Sequence, residues 1–107
     1  MIIRMWSGRA EPERRDAYPE HFRAVVIPEL RAVDGFLGAD LACRDRDGMV
    51  EYVVAPRWTS IAAIHAFAGD DATRAVIEPG ALAALADHDE AVAHYEVVEQ
   101  VPAATPR

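Results

Sequence analysis

EAVAHYEVVEQV, residues 90–101, is the stretch on which the fold turns. Alternate residues of a strand share a face. Read as a strand, it puts Ala91, Ala93, Tyr95, Val97 and Val101 on one face and Val92, His94, Glu96 and Val98 on the other. A sheet wetted on one side alternates apolar with polar residues, whereas this stretch is apolar on both. MVEYVVAPRW (49–58) repeats the pattern, with Tyr52, Val54 and Trp58 opposing Val53 and Ala55. Such a sheet needs two covers. Helices of the same chain can supply one, and an identical subunit is the simplest source of the other.

Working outward, MIIRMWS (1–7) is a third strand, with Ile3, Met5 and Ser7 on one face and Ile2, Arg4 and Trp6 on the other. FLGADLACRD (36–45) is a fourth, joined to 49–58 by the polar turn RDRDG (44–48). Pro56 suggests an edge position or a bulge. Residues 11–33 are helical, with Tyr18, Phe22, Val25 and Val26 at helical spacing and a stop at Asp34-Gly35. Pro19 and Pro28 should each kink or break that helix. Thr59 or Ser60 caps SIAAIHAFAG (60–69), Asp70 or Asp71 caps a short helix DATRAVI, and ALAALADH (81–88) is a third short helix. The order is βαββαβ, an α+β, ferredoxin-like arrangement with a four-stranded antiparallel sheet. One domain is expected over 1–101, with a flexible tail over 102–107.

Bulk composition narrows the function. The net charge is −7 and no basic run exists, which argues against nucleic acid and anionic membrane surfaces as partners. All 11 basic residues are arginine, so neither a lysine Schiff base nor a P-loop can form. Asparagine is also missing, which excludes a Cys-His-Asn triad. Cys43 is the only cysteine, and it reads as a small core residue in a protein of the reducing cytoplasm.

The opening MIIRMWSG, the strand GFLGADL, the stretch RWTSIAAIHAFAGDD and the closing HYEV together resemble the antibiotic biosynthesis monooxygenase family, within the dimeric α+β-barrel superfamily. The resemblance runs over residues 1–100. It implies a homodimer whose sheets close into a barrel, with a pocket in each subunit between helices and sheet. Quinone-forming members use neither metal nor flavin. Their aromatic substrate, as its own anion, gives an electron to O2 in a dry cavity. The haem-degrading branch carries an Asn, a Trp and a His at positions where this chain has Ser7, Phe67 and, approximately, Ile77. The resemblance therefore implies a cofactor-independent monooxygenase-like enzyme acting on an aromatic or polyketide-type molecule. A cyclase or isomerase on the same scaffold, or a non-catalytic ligand-binding or stress-associated dimer, is the alternative.

His88, Asp89, Glu90, His94 and Glu96 could be metal ligands by type. Along a strand, though, His94 and Glu96 share a face and His88 would lie about 20 Å from His94 at ~3.3 Å per residue, and no zinc-type spacing is present. His88-Asp89-Glu90 reads instead as a solvated turn, and no metal or cofactor is expected. Acid–base chemistry points to His65 and His94. His65 borders the stripe of Ile61, Ile64 and Ala68, and a neutral histidine there could take a phenolic proton. His94 could equally be an interface residue. Trp6, Tyr18, Phe22, Trp58, Phe67 and Tyr95 could line a flat-substrate pocket, and Arg57 could hold an anionic group. Each aromatic taken alone would also suit the core, and Arg57 a surface ion pair.

Overall fold

The computed structural model describes residues 1–104. The long strand β1 (Ile2–Ala10) is followed by a short 3-10 turn (Pro12–Arg14). Next come α1 (Ala17–His21), a π-helical stretch (Phe22–Val26) and α2 (Ile27–Arg31), which form one continuous rod. Neither proline breaks it. Pro19 lies in the first turn, where a missing N–H leaves nothing unpaired. Pro28 has no N–H to return to the preceding turn, and the helix answers by widening: the Ile27 N–H donates to the Phe22 carbonyl, five residues back. The rod buries Tyr18, Phe22, Val26 and Leu30, a stripe four residues apart.

Strands β2 (Phe36–Arg46) and β3 (Met49–Trp58) form a hairpin closed by Asp47 and Gly48, both with positive φ (54° and 76°). Two such residues make the tight turn whose twist matches paired strands. Every pairing is antiparallel and the strand order is β2-β3-β1, with the chain's C-terminal strand on the far side of β1. This is the ferredoxin-like order. Because β3 is central, Pro56 is not on an edge. It lies instead at an irregularity: the β2 register shifts between Phe36 and Gly38, and the β1–β3 register skips Arg4 and Met5. Val50, Tyr52, Val54, Pro56 and Trp58 of β3 face the helices and are buried. Cys43 is exposed on the edge strand rather than in the core.

The second half departs from expectation. Ser60 caps α3 (Ile61–Ala68), its hydroxyl accepting the Ala63 N–H at 3.2 Å. DATRAVI, however, forms no helix. Asp71 accepts from the Thr73 N–H, and the chain then pairs with 90–92 through Ala75 N–H to Glu90 O and Val92 N–H to Thr73 O, both 2.9 Å. This frees the carbonyls of Ala72 and Arg74 to accept bonds from Arg4, which a helix would have consumed. The last helix, α4 (Pro79–Ala84), ends earlier than 81–88 would suggest. The fourth sheet position is split into β4 (Asp87–His88) and β5 (Ala93–Glu96), both on β1. His88 is therefore a strand residue opposite Gly8, not a solvated turn. Beyond Glu96 no regular strand continues. Residues 102–104 carry no secondary structure, and 105–107 of the expected tail lie outside the described residues.

Gly35, at the turn from α2 into β2, has φ 92°, and a Cβ there would come within 2.6 Å of Thr59 Oγ1 and 2.7 Å of the Ala63 methyl. Gly35→Ala should cost about 2 kcal/mol or more, from left-handed strain plus the clash. Urea unfolding checks this, and an unchanged midpoint would contradict it.

Candidate functional site

A cleft opens between the sheet and the helices. Its floor is Arg4 and Trp6 of β1 with Val54 and Pro56 of β3. Its walls include Tyr18, Phe67, Val76, Glu78 and Val92. Its cavity volume is about 50 Å³. That is well below the ~300–1,000 Å³ of small-molecule sites, so the walls would have to part to admit a ring-sized ligand.

Arg4 dominates the site. Its side chain shares the helix-facing side of β1 with Ile2 and Trp6, and the residue is only 3% exposed. One Nη1 bond reaches the Ala72 carbonyl at 2.5 Å and another donates to His94 Nε2 at 2.9 Å, while Nη2 donates to the Arg74 carbonyl at 2.8 Å. Among the described residues no carboxylate pairs with it. Burial lowers its pKa, though an arginine stays charged. The result is an unneutralised cation at the bottom of an apolar cleft.

An acidic group shares the lining with it. Glu78 lines the cleft just before α4, its side chain 17% exposed. The Glu29 carboxyl lies within hydrogen-bond reach of Glu78, and this contact, with some burial, raises the pKa of Glu29 to about 7. His21 Nε2 is 3.5 Å from Glu78 Oε2, and burial lowers the pKa of that imidazole. Tyr18 stacks at 5.8 Å from the His21 ring. Burial, helped by the Glu78 charge, pushes its phenol well above the usual value, so it stays neutral.

Of the residues singled out from sequence, the cleft gathers Trp6, Tyr18 and Phe67. His94 lies behind it, its Nε2 occupied by Arg4; desolvation first, then Arg4 and His65, lower its pKa. It is a neutral support for Arg4, with no free Nε2 lone pair to act as a base. His65 is exposed on α3, its Nδ1–H donating to the Gly69 carbonyl at 2.9 Å. Trp58 is wholly buried against Phe36 and Phe67, with no bond at Nε1. Phe22 and Arg57 border a separate groove, where Arg57 pairs with Asp40 at 2.7 Å. Tyr95 is 55% exposed on the opposite face of the sheet. Arg4, His21, Glu29 and Glu78 went unread. The available signal was Arg4, a charge on the strand face shared by Ile2 and Trp6.

Among the described residues, no group of three or more His, Cys, Asp or Glu side chains is arranged to hold a metal ion. No helix among them is long and apolar enough to cross a membrane.

The profile of the family described as antibiotic biosynthesis monooxygenase matches residues 1–79.

The chain belongs to the antibiotic biosynthesis monooxygenase family.

A Bacillus cereus protein named for the same family superposes with TM-score 0.68 at 21% identity, over 95% of this chain and 97% of its own. One from Deinococcus radiodurans gives 0.60 at 18%, over 98% and 100%. The heme-degrader MhuD from Mycobacterium tuberculosis, solved with two hemes in its active site, gives 0.55 at 22%, over 95% and 100%. At these identities the likeness is one of fold. A search of curated proteins finds no match. Haem is a poor fit to this family member's cleft. No histidine lines it, and His94 Nε2 behind it already accepts a bond from Arg4.

His94 gives a pH signature. Its pKa is lowered on folding, so the stability it contributes is present above the ordinary histidine value of about 6.5 and is lost as pH falls through the folded value. His94→Gln keeps an acceptor for Arg4 but does not titrate. The melting temperature of the wild type should fall relative to that of the variant as pH drops below about 6.5. Parallel curves would contradict the assignment.

Proposed function

We propose that this family member is a cofactor-independent, oxygenase-like enzyme that holds a hydroxylated aromatic or polyketide-type molecule in the cleft as its anion. The observation that carries this reading is Arg4, a buried guanidinium with no carboxylate partner in an aromatic-walled cleft. A buried charge is costly unless compensated, and the two carbonyls and His94 only partly compensate it. A ligand oxyanion would complete the pairing, and in a site poor in water that attraction is strong. The neutral Tyr18 hydroxyl is a second donor within the same lining, and Trp6 and Phe67 are the flat walls. An electron-rich anion held this way can give an electron to O2, so the oxidation is the substrate's own chemistry. A cyclase or isomerase would use the same anion without oxygen, and a binding protein would hold it without turnover.

The working unit in this reading is a homodimer of the domain 1–101. Ile3, Met5, Val53, Ala55, Ala93 and Tyr95 project from the sheet face that the helices leave bare, where Met5 is 37% and Tyr95 55% exposed. A second copy laid on that face would close the barrel. A single exposed cysteine fits a reducing, cytoplasmic location.

Calorimetric titration tests the cleft. A hydroxynaphthoquinone that is ionised at neutral pH should bind at least about tenfold more tightly than its neutral methyl ether, a difference of about 1.4 kcal/mol. Equal affinities would contradict the reading.

A further inference from the structure

We infer that Glu78 is the group that takes the ligand's proton, with Glu29 and His21 forming the proton-holding shell behind it. This rests on the reading above, in which the cleft holds a hydroxylated ring as its anion. Glu78 is the one carboxylate among the residues that line the cleft, and it shares that lining with Arg4. The two do not form an ion pair with each other. A ligand hydroxyl set between them would meet a proton acceptor and a cation.

Two observations behind Glu78 suit it to this task. The first is the carboxyl pair. Glu29 lies within hydrogen-bond reach of Glu78, and that contact raises the pKa of Glu29 to about 7, so Glu29 carries a proton beside Glu78 until pH rises through that value. Above that value the pair is a ready acceptor. The second is His21. Its side chain is only 7% exposed, and Nε2 has no hydrogen-bond partner although it is 3.5 Å from Glu78 Oε2. An unpaired buried ring nitrogen is costly in an ordinary core. It acquires a partner once Glu78 is protonated and its O–H donates to the neutral imidazole. The ring also has little freedom to turn away, because it fills the space over Gly80, where a Cβ would lie 2.5 Å from Nδ1.

The titratable and charged groups facing the pair are Tyr18 and His21 from α1 and Arg4 from β1 across the cleft. Tyr18 stays neutral and Arg4 stays charged, so neither competes for the proton. In the step itself the ligand O–H bond breaks and an O–H bond forms on Glu78. The electron pair remains on the ligand oxygen facing Arg4, and nothing is oxidised or reduced.

The test titrates the full chain with 1-naphthol at about pH 8, above the pKa of the pair. Absorbance reads bound naphtholate, and an indicator dye reads protons released to solvent. The wild type should show bound naphtholate with little proton release, because the naphtholate oxygen beside the pair raises its pKa above the working pH and the pair keeps the proton. Glu78→Gln, and separately Glu29→Gln, should lose that combination, either leaving naphthol neutral or releasing a full proton per ligand. A full proton released by the wild type would overturn the inference and leave the anion-binding reading intact. So would bound naphtholate without release in Glu78→Gln. Naphthol bound by the wild type only in its neutral form would overturn that reading, and this inference with it.

Discussion

Arg4→Met is expected to abolish preferential binding of ionised ligands and to lower stability by about 2–4 kcal/mol. Methionine fills much the same space, so the loss is not one of volume. It comes from the acceptors left behind. The Ala72 and Arg74 carbonyls and His94 Nε2 all receive bonds from this one guanidinium and would be left short of donors. The segment that carries the two carbonyls is otherwise held by the Asp71 turn and its pairing with 90–92. Arg4→Lys separates the two effects. An ammonium keeps the charge but lacks the planar fork that reaches two carbonyls and a ring nitrogen together. It should recover part of the anion preference and less of the stability. Urea unfolding with ligand titration checks both variants. Arg4→Met with unchanged affinity for an ionised ligand would remove the basis of the proposed function.

Met5→Glu should convert the protein to monomers at micromolar concentration, with Tyr95→Glu doing the same independently. Met5 and Ala93 are cross-strand partners, as are Ile3 and Tyr95, on the bare sheet face. A carboxylate there would be buried without a partner in the dimer, at a cost of several kcal/mol. Each 1.4 kcal/mol weakens association tenfold, and a two-fold interface suffers the change twice. Light scattering should give a species of twice 11.7 kDa for the wild type and of 11.7 kDa for either variant. A wild-type monomer would refute the dimer.

The strands and the first helix were legible because their signals are local. Alternation marked β1 and β3, the polar turn 44–48 marked the hairpin, and Tyr18, Phe22 and Val26 at helical spacing marked the first helix, though not its continuity past the prolines. What misled were elements whose partners are distant. DATRAVI has helix-forming residues, yet its carbonyls turn inward to Arg4 of β1, nearly seventy positions away. EAVAHYEVVEQV has the alternation of one long strand, but only Ala93–Glu96 pairs regularly. Just before it the Trp6 indole N–H bonds the Asp89 carbonyl at 2.6 Å, where 89–92 separates β4 from β5. The site followed the same rule. Aromatic residues drew notice by type, but Trp58 and Phe22 serve the core. The charged groups of the cleft come from β1, the helical rod and the segment before α4, and no spacing in the sequence links them.

Oxygen uptake with a panel of hydroquinones and anthrones, before and after exhaustive chelation, tests the central claim most directly. The account predicts substrate-dependent consumption of O2 that chelation does not alter and that Arg4→Met abolishes. Turnover lost on chelation, or equal in Arg4→Met, would contradict it.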